Sequence, residues 1–347
     1  MAPTCGKRRP PLPPIERIPQ RTESLSGAQR GNQVVLSWPA PVRNANEGSV
    51  QSIRRVDVYR VAEKPNAPLP MTEEEFAARA ILIGSVSYDE IKKATANLTY
   101  TDTLEQAGVP VRLRYAIRYV NAAGQSAAFS NFFLMEPAAK VAEPPTIITT
   151  GKEYSEPAIT INWEPPRTNT DGSTPVNLLG YNVYRTGGAQ AKNAQGPLNP
   201  EPIGGTQYQD RSFKFGDKYV YVVRSVSLGT EGKPVESLDS NQLPLAPVDI
   251  YPPAAPERLS VGPAPGRLSI FWLANSEPDL AGYYVYRSTD PNLPKDKWLK
   301  LTPTIYTKTT FTDENVEAGK TYYYYVVALD TVGNQSPMSE VASDTAP

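Results

Sequence analysis

The chain has 347 residues, including 36 prolines, 23 glycines and 20 tyrosines. Its 35 basic and 36 acidic side chains nearly cancel, so no basic stripe predicts nucleic-acid binding. Histidine is absent and there is one cysteine, which excludes His-based triads, an internal disulfide and thiolate clusters.

Residues 1–24 are predicted to be a proline-rich basic tail that acts as a disordered tether. The stretch CGKRRPPLPPIERIP begins at Cys5 and resembles the start of a mature bacterial lipoprotein, a family in which this cysteine is acylated. A lipobox has a leucine-like residue where Ala2 stands, and no apolar leader precedes it, so a plain tail with a free thiol is the alternative. Cys5 is the candidate lipidation site, and membrane contact is expected only through that lipid.

Residues 25–137 form the first predicted domain. VVLSW, ending at Trp38, alternates apolar and polar residues, as does the tyrosine-rich RYAIRYV that begins at Arg114. Between them lie VDVYR, ending at Arg60, and TYTD, ending at Asp102. Such alternation over short segments predicts half-buried β-strands.

Extra sequence near residues 71–95 interrupts this domain and predicts short helices. Thr72 with Glu75, and Ser87 with Glu90, have the spacing of a helix N-terminal capping box. The insertion is interpreted either as a partner-binding surface or as a decoration that covers a sheet edge.

The same series of phrases occurs twice more, in residues 138–248 and 249–347, after two proline-rich joints that predict stiff, extended linkers. The second series contains ITINW, YNVYR, QYQD and KYVYVVRSV, and the third contains LSIFW, YYVYR, TFTD and TYYYYVVALD. A repeat of about 100 residues is a whole domain rather than a solenoid unit. The sequence therefore predicts an all-β protein of three consecutive sandwiches.

This pattern resembles tandem fibronectin type III domains of the kind found in bacterial envelope proteins. The resemblance extends over residues 25–347 and implies three immunoglobulin-like, seven-stranded sandwiches, each with a core tryptophan. It also implies a corner tyrosine at the start of one strand, matched here by Tyr115, Tyr219 and Tyr322. The resemblance is specific for the fold and nearly silent on function.

The recurring VYR is interpreted as a strand that faces the core with alternate residues. In the third copy, Tyr283 and Val285 should point inward and Tyr284 outward, while Arg287 lays its stem over the rim of the core. The aspartate that recurs once per domain is interpreted as a turn-stabilising residue.

Alternation also places four tyrosines on one outer sheet face of the third domain: Tyr284, Tyr286, Tyr323 and Tyr325. They are the candidate partner-binding residues, suited to protein or sugar contacts. The alternative is that these tyrosines only stabilise the sheet by cross-strand packing. Trp298 is expected to pack under a loop, or else to extend this face.

Neither a paired-carboxylate site, a phosphate-binding glycine loop nor a calcium loop is evident in the sequence, so no catalytic, cofactor or metal residue is predicted. The expected function is a non-catalytic envelope lipoprotein, periplasmic or on the outer surface, acting as spacer, scaffold or adhesion module. Its expected partner is an envelope protein or polysaccharide. The alternative is a carbohydrate-binding accessory protein that uses the tyrosine face.

Overall fold

The computed structural model describes residues 21–40, 53–93, 96–104, 110–151, 153–188 and 196–347. Across these ranges the chain consists mainly of β-strands, and both α-helices lie in the first predicted domain. The prediction of an all-β fold is confirmed. Cys5 and the rest of residues 1–20 fall outside the described residues. Within the described ranges, no helix is long and apolar enough to cross a membrane.

The first sandwich has seven strands in two layers. One layer contains β1 (Ser26–Arg30), β2 (Gln33–Pro39) and β5 (Asn97–Thr103). The other contains β3 (Ile53–Glu63), β4 (Ile81–Ser87), β6 (Arg112–Asn121) and β7 (Phe133–Met135). The second layer has the order β4-β3-β6-β7, so β4 and β7 are its edges.

The second sandwich repeats this plan with a broken last strand. One layer contains β8 (Thr146–Ile148), β9 (Tyr154–Ser155), β10 (Ala158–Glu164) and β12 (Gln207–Asp210). The other contains β11 (Gly180–Gly187), β13 (Tyr219–Leu228), β14 (Pro234–Glu236) and β15 (Leu243–Leu245). Both β14 and β15 pair with β13, so together they take the place of one strand beside it.

The third sandwich has seven strands. One layer contains β16 (Ser260–Ala264), β17 (Arg267–Phe271) and β20 (Thr310–Asp313). The other contains β18 (Leu280–Ser288), β19 (Leu299–Lys300), β21 (Thr321–Asp330) and β22 (Ala342–Thr345). Short 3-10 turns lie at Thr230–Gly232 in the second sandwich and at Lys295–Lys297 in the third.

Each sandwich has its own apolar core around one buried tryptophan. Trp38, Trp163 and Trp272 are at most 5% exposed, as the family resemblance implies. Each tryptophan belongs to a separate cluster of buried side chains, contributed by alternate residues of both layers. Burial of apolar surface at about 25 cal/mol per Å² is the main force that closes each sandwich.

The helical insertion packs on a sheet face. Helix α1 (Glu73–Arg79) begins at the predicted capping box, in which Glu75 N donates to Thr72 Oγ1 (3.2 Å) and Thr72 N donates to Glu75 Oε2 (2.9 Å). Phe76 of this helix is fully buried, with its ring 5.0 Å from that of Phe129. Phe76 clusters with Val61 of β3 and Ala116 of β6, so α1 covers a face of the sheet rather than an edge.

The second predicted capping box is also formed. Ser87 N donates to Glu90 Oε2 (2.7 Å), and Glu90 N donates to Ser87 Oγ (3.5 Å), at the start of helix α2 (Tyr88–Lys93). This helix directly follows the edge strand β4, where Ile81 and Leu82 are more than half exposed. The apolar side chains at the start of β4 therefore remain exposed.

The first two sandwiches share a sheet. Strand β1 pairs in parallel with β14 at Arg30 and Glu236, so the layer that contains β5, β2 and β1 continues through β14 into β13 and β11. Gly31 N donates to Glu236 O (2.7 Å), and Gly31 adopts φ 55°, a conformation that favours glycine. Gln29 adds two hydrogen bonds to the backbone of Ala138 in the joint (2.6 and 3.1 Å).

The proline-rich segment that joins the first two sandwiches is therefore packed against them, in addition to being stiff as predicted. Val141 and Ala142 are fully buried, and Ala142 N donates to Ser227 Oγ (2.8 Å) in the second sandwich. The first two sandwiches belong to one compact unit, and Ala246–Pro347 with Lys214–Gly216 form another. The domain boundaries at residues 137 and 248 stay predictions from the sequence.

Candidate functional site

The three recurring phrases of the sequence meet in space in every sandwich. The arginine of VYR forms an ion pair with the recurring aspartate, and a tyrosine hydroxyl donates to the same carboxylate. We call this group the Arg–Asp–Tyr clamp; its members are Arg60, Asp102 and Tyr115 in the first sandwich, Arg185, Asp210 and Tyr221 in the second, and Arg287, Asp313 and Tyr324 in the third. The nitrogen–oxygen distances of the three ion pairs are 2.7, 2.6 and 2.7 Å, and the tyrosine distances are 2.7, 2.7 and 2.8 Å.

The clamp joins the two layers of each sandwich. In the third sandwich, Asp313 ends β20 in one layer, while Arg287 and Tyr324 are paired opposite each other on β18 and β21 in the other layer. The aspartate side chain is 3% exposed and the arginine side chain 15% exposed. A charged pair this deep stabilises only when its remaining hydrogen-bonding groups are satisfied, and the tyrosine hydroxyl supplies that bond.

Two interpretations from the sequence are corrected here. Arg287 does more than cover the core rim, because its guanidinium reaches the carboxylate of the opposite layer. The recurring aspartate does stabilise a turn, since Asp210 Oδ1 accepts from Ser212 N (2.8 Å) and Asp313 Oδ1 from Asn315 N (3.0 Å). Its other oxygen accepts from the tyrosine, so the turn is only half of its role.

Only in the first sandwich is the predicted corner tyrosine also the tyrosine that donates to the clamp aspartate. Tyr115 donates to Asp102, but the residues that do so later are Tyr221 and Tyr324, two positions beyond the predicted Tyr219 and Tyr322. Tyr219 and Tyr322 instead lie under the guanidinium of the clamp arginine, 5.0 Å from the ring centroid in both sandwiches. The Tyr322 hydroxyl also accepts from the backbone nitrogen of Glu317 (3.0 Å), five residues upstream, which is the bond that a corner tyrosine makes. The prediction is therefore confirmed for Tyr322, and the clamp tyrosine lies two positions further along the strand.

In the second sandwich, the clamp shifts the pKa values of Asp210 and Tyr221. Burial alone would raise the pKa of Asp210, but hydrogen bonds from Ser212 and Tyr221, together with the charge of Arg185, bring it below its ordinary value. Burial, and then the hydrogen bond to Asp210, raise the pKa of Tyr221 far above its ordinary value. The carboxylate therefore stays charged and the phenol neutral over a wide pH range, which suits a structural pair rather than an acid–base catalyst.

The tyrosine face of the third sandwich exists, but it is largely covered. The four candidate residues do lie on the outer face, with Tyr286 stacked on Tyr325 at 4.7 Å between centroids and 9° between planes. Trp298 packs against Tyr325 at 5.1 Å, and Tyr325 is 6% exposed. Trp298 is itself buried, with Nε1 donating to Leu293 O (3.0 Å), so the prediction that it packs under a loop is confirmed.

An open patch of four rings is therefore the wrong description of this face. Lys300 places Nζ 3.0 Å from the ring centroid of Tyr284, and Lys295 places Nζ 3.7 Å from that of Trp298. Tyr284, Tyr286 and Tyr323 remain half-buried, so they keep some accessible ring edge. The segment between β18 and β19 covers the face, and alternation along the strand cannot predict such a cover.

The outward tyrosine of VYR is also covered in the other two sandwiches. Tyr59 lies edge-on to Phe129 at 5.2 Å, within the cluster under helix α1. Tyr184 donates to Glu236, and the guanidinium of Arg224 lies 3.9 Å from its ring centroid. Each sandwich thus protects the same sheet face with a different local device.

One acidic cluster was missed by the sequence analysis. Carboxylate oxygens of Asp249, Asp279 and Asp330 lie within 4.8 Å of one another in the third sandwich. Among the described residues these three could hold a metal ion, since carboxylate oxygens suit Ca²⁺. The residues are far apart in the sequence and follow no spacing motif, and Asp330 Oδ1 already accepts from three backbone amides of its own turn.

Neutralising the clamp carboxylate should destabilise the third sandwich. Asp313→Asn leaves the buried Arg287 guanidinium without its counter-charge, which costs about 3–5 kcal/mol of unfolding free energy. The matched control is Asp296→Asn, whose exposed side chain pairs with Lys297. Urea unfolding of the full chain measures both; an equal effect of the two substitutions would contradict the structural role of the clamp.

The clamp also predicts the pH range of stability. Because the folded pKa of Asp210 lies below the ordinary 3.8, its stabilisation is present above pH 3.8 and is lost as the pH falls through the folded value. Because the folded pKa of Tyr221 lies above the ordinary 10.0, its stabilisation is present below pH 10 and is lost as the pH rises toward the folded value. Unfolding free energy measured against pH should lose part of its acid slope in Asp210→Asn and part of its alkaline slope in Tyr221→Phe. Unchanged slopes in both variants would refute the assignment.

Comparisons with known proteins find partial similarities. No protein-family model matches the chain. A solved Fn3-like protein from Clostridium thermocellum is 30% identical to this chain. The match covers 28% of this chain and 96% of that chain, and its TM-score is 0.24. The solved chicken CNTN1 FN1-FN3 domains are 16% identical, covering 94% of this chain and 98% of that chain, with a TM-score of 0.27.

One curated relative is similar over a part of the chain. An amylopullulanase from Thermoanaerobacterium thermosulfurigenes is 33% identical over 94 residues, which is 27% of this chain. The chain spans only 5% of the length of that relative. The two-layer strand order and the buried tryptophan in each core show that the protein is built of tandem β-sandwich domains, and these are similar to fibronectin type III domains.

Proposed function

We propose that the chain is a non-catalytic protein of the cell envelope whose tandem sandwiches act as a spacer, scaffold or adhesion module. The observation that carries this proposal is the sheet shared by the first two sandwiches, which fixes them as one body. A fixed separation and orientation of surfaces is what a scaffold needs. The recurring ionisable residues support the same conclusion, because the fold itself uses them in the clamps.

The proposed location rests on the N-terminal sequence. Acylation of Cys5 would anchor the chain to a membrane through the proline-rich tether, on the periplasmic side or at the outer surface. The partner on this proposal is a protein or polysaccharide of the envelope. No nucleic acid is expected, because basic and acidic residues balance.

The test is photo-cross-linking in intact cells from two exposed positions, Ile81 in the first sandwich and Ile250 in Ala246–Pro347. We expect a discrete protein adduct from at least one position, with the chain in the membrane fraction. Cys5→Ala, which leaves every described residue unchanged, should move the chain to the soluble fraction. Recovery of the unsubstituted chain in the cytosol, or no adduct above background at either position, would contradict the proposal.

A second candidate function is carbohydrate binding through the third sandwich. It is favoured by the similarity to an amylopullulanase and by the accessible edges of Tyr284 and Tyr323. Sugar rings stack on exposed aromatic faces, and the cover over Tyr325 leaves little such face.

Pullulan, the polysaccharide in that relative's name, is the probe that separates the two candidates. The scaffold proposal predicts no retardation of the full chain in an affinity gel that contains pullulan. Retardation that is lost when Tyr284→Ala is combined with Tyr323→Ala, but kept in Tyr88→Ala, would favour the carbohydrate candidate instead. Tyr88 is a suitable control because it is a half-exposed tyrosine of the first sandwich.

A further inference from the structure

The first two sandwiches meet at a narrow contact within their shared sheet. The register of β1 and β14 pairs Arg30 with Glu236, and Gly31 N donates to Glu236 O (2.7 Å). Further back along the two strands, Gly27 to Gln29 and Pro234 to Val235 line a cleft instead of pairing. Because a single backbone hydrogen bond contributes little net stability, this contact is only as rigid as the hold on Glu236 itself.

The Glu236 side chain is bound to two strands of the second sandwich. Its Oε1 accepts from Asn182 Nδ2 on β11 (2.6 Å) and from the Tyr184 hydroxyl on the same strand. Its Oε2 accepts from Arg224 Nη1 on β13 (2.8 Å), and Arg224 Nε donates in turn to Asp239 Oδ1 (2.6 Å). Three donors that approach from two strands restrict the carboxylate more than one bond could.

The surroundings keep the Glu236 carboxyl charged. Burial raises its pKa, but hydrogen bonds from Asn182, Tyr184 and Arg224, together with the charge of Arg224, bring the pKa below its ordinary value. The bond between Glu236 and Arg224 therefore joins two charged groups at neutral pH, which makes it one of the stronger kinds of hydrogen bond.

The other two sandwiches provide an internal comparison. In each, the same segment returns to the long strand through an isolated bridge, formed by Ser126 opposite Val120 in the first and by Gln335 opposite Leu329 in the third. Neither Ser126 nor Gln335 has a carboxylate, and neither of these described segments forms a strand there. Among the three described segments, carboxylate and strand occur together at Glu236, where the sheet continues into another sandwich.

We propose that the Glu236 carboxylate holds the first two sandwiches at a fixed angle, and that loss of its side-chain bonds turns the contact into a hinge. The backbone of Glu236 receives the turn of the first sandwich at Gly31, while its side chain anchors β14 on the sheet of the second. Glu236 is thus a positioning residue for the junction. This inference rests on the proposed scaffold role, in which a fixed spacing of surfaces is the useful property.

Glu236→Ala should widen the distribution of distances between the two sandwiches. The measurement is double electron–electron resonance on the full chain with Cys5→Ser as background. Spin labels are attached at Thr101→Cys on β5 and Thr206→Cys in the second sandwich, both exposed positions. We expect a narrow distribution with Glu236 in place and a width about twofold larger or more in Glu236→Ala. Glu236→Gln, which carries the residue of the third sandwich, should also widen it because the amide cannot pair with the charge of Arg224.

Asp239→Asn is the matched control. It removes the other acidic partner of Arg224 and leaves the bonds of Glu236 in place, so the width should not change. A second pair of labels within the second sandwich, at Leu179→Cys and Thr206→Cys, shows whether Glu236→Ala leaves that sandwich intact. The same width between the sandwiches in Glu236→Ala and Asp239→Asn, or a widening of the second pair, would overturn the proposal.

The outcome is separable from that of the proposed function. Cross-linking in intact cells reports on the partner, whereas the distance distribution is measured on the purified chain. An envelope adduct together with an unchanged width in Glu236→Ala would leave the scaffold function standing while the role of Glu236 fails. A widened distribution without any envelope adduct would support the role of Glu236 and contradict the scaffold function.

Discussion

The salt bridge between an arginine of one layer and an aspartate of the other, completed by a tyrosine hydroxyl, fixes how the two layers of each sandwich lie on one another. Apolar burial alone gathers the two layers, but it does not fix how one lies over the other. The clamp fixes this at one point, because a buried charged pair tolerates little displacement. A single cysteine rules out a covalent link within the chain, so this polar contact and the core around each tryptophan carry the cross-layer attachment. This role explains why VYR occurs three times, because each copy supplies the arginine of one clamp.

The outer faces of the sheets show a second constraint. In every sandwich the tyrosine of VYR points away from the core, and in every sandwich something covers it: helix α1, the Arg224–Glu236 pair, or Trp298 with its loop. These covers leave the tyrosine of VYR half-buried in all three sandwiches. The shared sheet makes the junction of the first two sandwiches part of the fold. The first two sandwiches therefore belong to one compact unit.

Most of the fold could be predicted from the sequence, because it depends on local alternation. The strands around Trp163 and Trp272, both capping boxes and the inward direction of Tyr283 all follow from residue spacing. The candidate site could not be predicted equally well. The covered tyrosine face, the seat of α1 and the cluster around Asp330 depend on how distant segments return to a sheet, which no periodicity encodes. The clamp is an intermediate case. Its three residues recur visibly in the sequence, but only the strand topology of the sandwich brings them into contact.

A double-mutant cycle on the third sandwich tests the central claim most directly. Arg287→Met, Asp313→Asn and the double variant are compared with the unsubstituted chain by their unfolding free energies in urea. If the two side chains form the cross-layer tie, their effects are strongly coupled, with an interaction energy of about 1–3 kcal/mol. If the two effects add to within about 0.5 kcal/mol, the residues act independently and the clamp does not hold the layers together.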